Sequence, residues 1–344
     1  MPMENKSFNI YCRALISKAI IILCVTALVL GCSKSPLDDT ADKTDNSGEI
    51  EQYADAVIKN TAMVKVTAGK FIRGSNKEDT EGMQARYGFA APLYQDEHPQ
   101  SEINLDTFWI DTYEVTNKAY KAYILSSKRM MPFEWVNNGY AMSETSLRAM
   151  EADKLRKIAL DYFRLDVDTR TMAKPALINA MLKYQQQLDK LPVTGVNWFN
   201  AKAFCEWRSA RLPSEAEWEK AARGPNGFEY PWGNEWNSKI TNTGDDGNWD
   251  EGVAPVGSYR NNKSPYGAYD MAGNVWEWVD DWYQQYPGST YTTKAFGEKN
   301  RVIRGGGGGV GHYAISYFFR AATRQFSEPE MESDDVGFRC AKDV

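Results

Sequence analysis

Tyr266-Gly267-Ala268-Tyr269-Asp270-Met271-Ala272-Gly273-Asn274-Val275-Trp276-Glu277-Trp278 is the stretch on which the reading of this 344-residue chain turns. Like most of the sequence after Gly224, it is rich in Gly, Asn, Asp and Trp, with only brief apolar runs. Such a composition predicts long irregular loops. A loop-heavy half of this size needs a stabiliser beyond periodic hydrophobic burial, and bound metal ions or a disulfide are the usual ones.

Outward from that stretch the signals become regular. Ser214 with Glu217 forms a capping box, Pro213 stands just before it, and Gly224 closes a short helix carrying Trp218 and Ala221. Phe199, Ala203, Phe204 and Trp207 give one face of a preceding helix. Between Ser143 and Leu191 apolar residues recur at three and four, as in Leu147, Met150, Leu155, Ile158 and Tyr162, then Leu177, Met181, Tyr184 and Leu188. That pattern predicts two or three amphipathic helices, broken near Pro175. Thr116 or Asn117 caps a helix with Tyr120, Tyr123 and Ile124 on one face. Val64-Lys65-Val66, Phe71-Ile72-Arg73-Gly74, Ile103-Asn104-Leu105 and Phe108-Trp109-Ile110 alternate as short strands.

The N-terminal residues read differently. Lys6, Arg13 and Lys18 precede an apolar run from Ala19 to Leu30, the layout of an export signal. Those twelve residues are too few to cross ~30 Å of hydrocarbon at ~1.5 Å per residue. Leu28-Val29-Leu30-Gly31-Cys32 resembles the lipobox of bacterial lipoproteins, which implies cleavage before Cys32 and its acylation. Ser33, a non-acidic residue after the lipidated position, points to the outer membrane. Ser, Asp, Thr, Lys and Asn then dominate from Lys34 to about Gly48, a composition that cannot bury a core and serves as a tether. The expected organisation is a signal peptide over 1–31, a tether over 32–62 and one folded domain over 63–343.

The whole chain carries a formal charge of −6, and removing the net +2 of residues 1–31 leaves −8. With no Lys/Arg cluster, that balance excludes nucleic acid and electrostatic adhesion to anionic lipid. Of five cysteines, Cys12 and Cys24 fall in the signal and Cys32 is the acylation site. Cys205 and Cys340 are left to meet an oxidising compartment, where one disulfide is the simplest outcome.

Several segments now form an ordered set. Phe108 to Asn117 (FWIDTYEVTN) is followed by Pro192 to Trp198 (PVTGVNW), Ala203 to Trp207 (AFCEW) and Arg211 to Glu219 (RLPSEAEWE). Then come the stretch quoted first, Arg301 to Gly306 (RVIRGG), and Val336 to Cys340 (VGFRC). This set resembles the formylglycine-generating enzyme, or sulfatase-modifying factor, domain. The resemblance implies an α+β fold of the C-type-lectin-related kind, with low regular secondary structure, and it implies pairing of Cys205 with Cys340. Residues 126–191 are a helical insertion, longer than expected between the matching motifs, whose apolar faces could dock a partner or form a lid on their own domain.

The resemblance also implies structural calcium. One site would use Asp270 and Glu277 with the carbonyls of Gly273 and Val275, and the other Asn242, the carbonyl of Thr243 and Asp246, all hard oxygen donors. Copper is not expected. Family members that oxidise a sulfatase cysteine hold copper(I) on two cysteines, and the matching positions here fall near Val310 and Ile315. No cysteine stands anywhere between Cys205 and Cys340, and soft thiolates have no good substitute for that ion. An iron-dependent branch of the family uses three histidines, whereas this chain has only His98 and His312.

His312, Arg320 and Arg324 are the candidates to line the family's groove, with Asp280 and Asp281 as acids that could face it; His98 is read as a surface or turn residue. The reading is a binding or accessory lipoprotein with a peptide, glycan or envelope-protein partner. Family-like lipoproteins serve as parts of secretion and motility assemblies. The alternative is a sulfatase-activating oxidase, or another oxidoreductase on the same scaffold.

Overall fold

The computed structural model describes residues 61–244, 252–307 and 316–344, together with residues 52, 55 and 56. The signal, the acylation site Cys32, Asp246, His312 and the positions Val310 and Ile315 lie outside the described residues.

The strands predicted from alternation are present. β1 (Met63–Val66) pairs antiparallel with β4 (Phe108–Asp111), which places Val64 opposite Ile110 and Val66 opposite Phe108. The other edge of β4 takes β9 (Ala341–Asp343), so the two ends of the domain close one sheet in the order β1-β4-β9. β2 (Gly69–Arg73) and β3 (Ser101–Leu105) form a separate two-stranded ribbon.

A third sheet was not legible in advance. It runs β7 (Gln325–Ser327), β6 (Arg301–Arg304), β5 (Trp276–Trp282), β8 (Val336–Phe338), with β5 and β8 parallel. The first four residues of β5 are all buried, so Trp276-Glu277-Trp278-Val279 shows no polar and apolar alternation.

Eight α-helices are described, α1 (Met83–Tyr87), α2 (Asn117–Ser127), α3 (Phe133–Asn137), α4 (Glu144–Ala149), α5 (Ala152–Asp161), α6 (Lys174–Leu188), α7 (Trp198–Trp207) and α8 (Glu215–Arg223). Thr116 caps α2, accepting from the Ala119 amide, and Tyr120, Tyr123 and Ile124 are buried. α8 starts on the reciprocal Ser214–Glu217 box and ends at Gly224, whose φ of 69° needs no Cβ. α7 differs from expectation: Trp198, Ala201, Phe204 and Cys205 are buried, while Phe199 is 49 % exposed. Pro175 does not break a helix either. It occupies the first turn of α6, where a missing N–H costs nothing.

The main core joins Tyr120, Tyr123, Phe204, Trp278 and Phe338 around the Cys205–Cys340 disulfide, whose Cα atoms are 5.6 Å apart. The insertion builds its own core from Leu147, Leu155, Phe163, Leu177, Ile178 and Met181. The apolar faces considered for docking are thus largely spent on one another. Among the described residues no helix is long and apolar enough to cross a membrane.

Candidate functional site

The central strand β5 sets the site. Trp276 lies opposite Val336 of β8, and its amide donates to the Asp335 carbonyl at 2.8 Å. A cleft of about 340 Å³ opens there, lined by Trp276, Ile303, Phe318, Gln325, Phe326 and Asp335 among others. Trp276 and Phe318 meet edge to face with ring centres 6.4 Å apart. Ser333 Oγ donates to Asp335 Oδ1, which orients that carboxylate. Gly307 approaches so closely that a Cβ there would sit 2.8 Å from Trp276 Cδ1. Gly307 and Phe318 both lie against Trp276.

Arg320 and Arg324, the groove candidates from sequence, do not line this cleft. Both are 2 % exposed and locked in ion pairs. Arg320 Nη1 donates to both Glu97 oxygens at 2.6 and 2.9 Å, and its Nε donates to Glu229. Arg324 grips Glu215 through Nε at 2.7 Å and Nη2 at 3.0 Å, with Nη1 on the Asp96 carbonyl. Arg304 joins in, donating to Glu215 at 3.1 Å and Glu219 at 2.9 Å, and Arg223 shares Glu219 at 2.8 Å. Burial acts to lower the Arg324 pKa, but Glu215 outweighs it and holds the guanidinium charged. Burial likewise acts to raise Glu215, and Arg324 with Arg304 pulls its pKa down instead. These arginines are scaffold: Arg304 and Arg324 tie α8 to segments more than eighty residues away in sequence, and Arg320 joins Glu97 to Glu229.

Asp280 and Asp281 sit in a different cleft of about 400 Å³, together with Arg73, Trp282 and Tyr286 and with one edge of Arg324. Asp281 Oδ2 accepts the Glu215 amide at 2.6 Å, at the start of α8. Burial, with Glu215 close by, pushes the Asp281 carboxyl up to about 6.

The expected calcium ligands divide. Glu277 is fully buried and committed: its two oxygens accept Arg339 Nε at 2.6 Å and Nη2 at 2.7 Å, and Oε2 also accepts the Trp218 indole at 2.9 Å. A divalent cation at Glu277 would have to share these oxygens with the buried Arg339 guanidinium. Asp270 instead lies against Glu114; the two share a hydrogen bond, and Oδ2 of Asp270 takes the Gly257 amide at 2.6 Å. Burial drives Asp270 up to about 6, and burial together with Asp270 drives Glu114 well above the usual carboxylate range. Glu114 Oε1 accepts the Asn274 side-chain amide at 2.9 Å.

Gly273 and Val275 belong to the turn entering β5: the Gly273 amide donates to Gly305 at 2.7 Å, and Val275 is buried in the core. Asn242 spends its side chain on Gly252, Asn274 and Gly244 beside Thr243. Among the described residues no trio of Asp, Glu, His or Cys converges on one point. His98, read as a turn residue, has its ring 2.6 Å from the Lys77 carbonyl.

Sequence reasoning missed Glu114, Arg339, Arg304, Arg73 and Trp282. Glu114 and Arg339 stand inside quoted motifs, but their pairing is long-range, 160 residues for Glu114 with Asn274 and 62 for Arg339 with Glu277. No local signal marks it.

Comparison with known proteins identifies the family and the fold. The sulfatase-modifying factor enzyme 1-like domain matches residues 48–344. The chain is 29 % identical over 303 residues to the formylglycine-generating enzyme of Bos taurus, across 82 % of this chain and 75 % of that protein. It is 31 % identical over 301 residues to the inactive C-alpha-formylglycine-generating enzyme 2 of Bos taurus, across 81 % and 87 % respectively. PvdO from Pseudomonas aeruginosa superposes with a TM-score of 0.51 at 22 % identity, covering 82 % of this chain and 94 % of that one. Treponema denticola variable protein 1 gives 0.52 at 18 %, covering 83 % and 95 %. At such identities the structures attest the fold alone. With its motifs in order and the family model spanning the folded part, the chain belongs to the sulfatase-modifying factor enzyme 1-like family and has the formylglycine-generating-enzyme fold.

Proposed function

We propose that this chain is a binding or accessory protein of the bacterial envelope, tethered through acylated Cys32, that does not convert cysteine to formylglycine. One observation carries the reading: Val310 and Ile315 stand where the oxidase needs a thiol pair, and no cysteine lies between Cys205 and Cys340. Neither branched alkyl side chain can ligate copper(I) or form a mixed disulfide with a substrate cysteine. An inactive relative matched over most of its length shows that the family includes such members.

What remains at the Trp276 cleft supports recognition without chemistry. Phe318 and Phe326 offer aromatic surface over the buried Trp276, and Asp335, held by Ser333, offers one oriented acceptor. That pairing suits an extended peptide segment with an apolar residue beside a donor.

The test is aerobic incubation of the purified chain, with copper(I) supplied, with a Cys-x-Pro-x-Arg peptide. Mass spectrometry should find the cysteine unchanged. Loss of its sulfur to an aldehyde would establish the oxidase.

A further inference from the structure

The cleft bounded by Asp280 and Asp281 shares no lining residue with the Trp276 cleft, and nothing in the reading above uses it. Its volume of about 400 Å³ falls in the range of small-ligand sites. One wall is aromatic and rigid. Arg301 lies 3.5 Å from the Trp282 ring centre and 3.7 Å from that of Trp198, so Trp282 is clamped in a tryptophan–arginine–tryptophan stack. Arg73 lies 4.3 Å from the ring centre of Tyr286, itself 6 % exposed. The adjoining loop is braced as well, because Gln285 Nε2 donates to the Ser289 carbonyl at 2.8 Å and the Tyr291 carbonyl at 2.7 Å.

The polar groups are mixed in kind. Asp280 and Asp281 accept, Gln284 both donates and accepts, and Arg73 donates. Arg73 Nε is buried with no acceptor, while its Nη2 donates to Ser101 Oγ at 3.3 Å. Charge is nearly balanced. Arg324 is neutralised by Glu215, Lys202 stands 3.6 Å from Asp280, and Arg73 offsets Asp281. A cationic peptide would want a net negative cleft and an anion a net positive one. A hydroxyl group, which donates and accepts at once, matches alternating donors and acceptors beside flat rings.

We propose that this cleft is a saccharide site, taking a neutral sugar residue of a glycan against Trp282 with its hydroxyls shared among Arg73, Asp280, Asp281 and Gln284. The braced loop and clamped ring make the site largely pre-formed, which lowers the ordering cost of binding.

The test uses the full chain and a panel of neutral oligosaccharides built from glucose, mannose, galactose and N-acetylglucosamine, followed by saturation-transfer NMR and calorimetry. At least one should bind tighter than about 1 mM. Asp280→Ala with Gln284→Ala, both on solvent-facing side chains, should weaken it about tenfold or more with circular dichroism unchanged. Phe326→Ala, in the other cleft, should leave that affinity intact. The proposal is overturned if no panel member binds, if the double variant binds as well as wild type, or if only a basic peptide is displaced by those substitutions.

Discussion

Replacing Arg339 with Met probes how Glu277 is held. In the folded chain both residues are wholly buried, and the guanidinium gives Glu277 two charge-assisted bonds of 2.6 and 2.7 Å. Arg339 also donates to the carbonyls of Tyr269 at 2.9 Å and Asp111 at 3.2 Å. Without it, Glu277 keeps only the Trp218 indole, and a buried carboxylate so abandoned must protonate or destabilise the fold. Breaking one partner of a buried pair costs about 3–5 kcal/mol. Removing both charges, as in Arg339→Met with Glu277→Gln, leaves an acceptor for Trp218 and no stranded ion, and should recover all but about 1–2 kcal/mol. Urea unfolding followed by tryptophan fluorescence measures each variant, with and without a calcium chelator. The reasoning fails if Arg339→Met costs under about 1 kcal/mol. It fails equally if the cost appears only after chelation, since a cation and not Arg339 would then be the partner.

Two further outcomes are expected. Cys205→Ala opens a bridge spanning 135 residues, which the chain-entropy model values at about 5 kcal/mol; peptide mapping should find Cys340 alkylated in denaturant without reductant in the variant only, and its alkylation in unreduced wild type would rule the bridge out. Asp281 releases its proton near 3.8 when unfolded and at about 6 when folded. The folded state therefore binds more protons between those values, so this group's contribution is lost as pH rises through that window, by about 3 kcal/mol in all. Asp281→Asn keeps the acceptor for the Glu215 amide and should flatten that slope, becoming the more stable protein at pH 7. A wild-type minus variant difference that grows in favour of wild type from pH 4 to pH 6.5 would reverse the argument.

Local signals carried much of the frame. Thr116, the Ser214–Glu217 box and Gly224 mark helix ends because each cap is a short-range hydrogen bond between residues three or four apart. Val64 to Val66 and Phe108 to Ile110 alternate because each strand has one face in the core. The same logic fails for β5, buried on both faces, and for α7, where Phe199 looked like a core residue and Trp198 took that place. The disulfide was accessible by elimination among cysteines. The arginine candidates were not: chemistry alone suits Arg320 and Arg324 equally to a groove or to an ion pair. Only the arrival of Glu97, Glu229 and Glu215 from distant segments decides between them.

That distribution of ion pairs bears on how a family scaffold can lose its chemistry and keep its shape. The stretch with Val310 and Ile315 is bounded by Arg304 on one side and by Arg320 and Arg324 on the other. All three are anchored to α8 or to the acids near Glu97 by bonds formed wholly outside it. The four-stranded sheet draws β6 and β7 from the same flanks, pairing Val302 with Phe326. Exchanging thiols for alkyl groups between such anchors removes soft-metal ligation while leaving every one of these contacts in place. Buried carboxylate–guanidinium pairs, aromatic packing and one disulfide connect the segments on either side of that stretch.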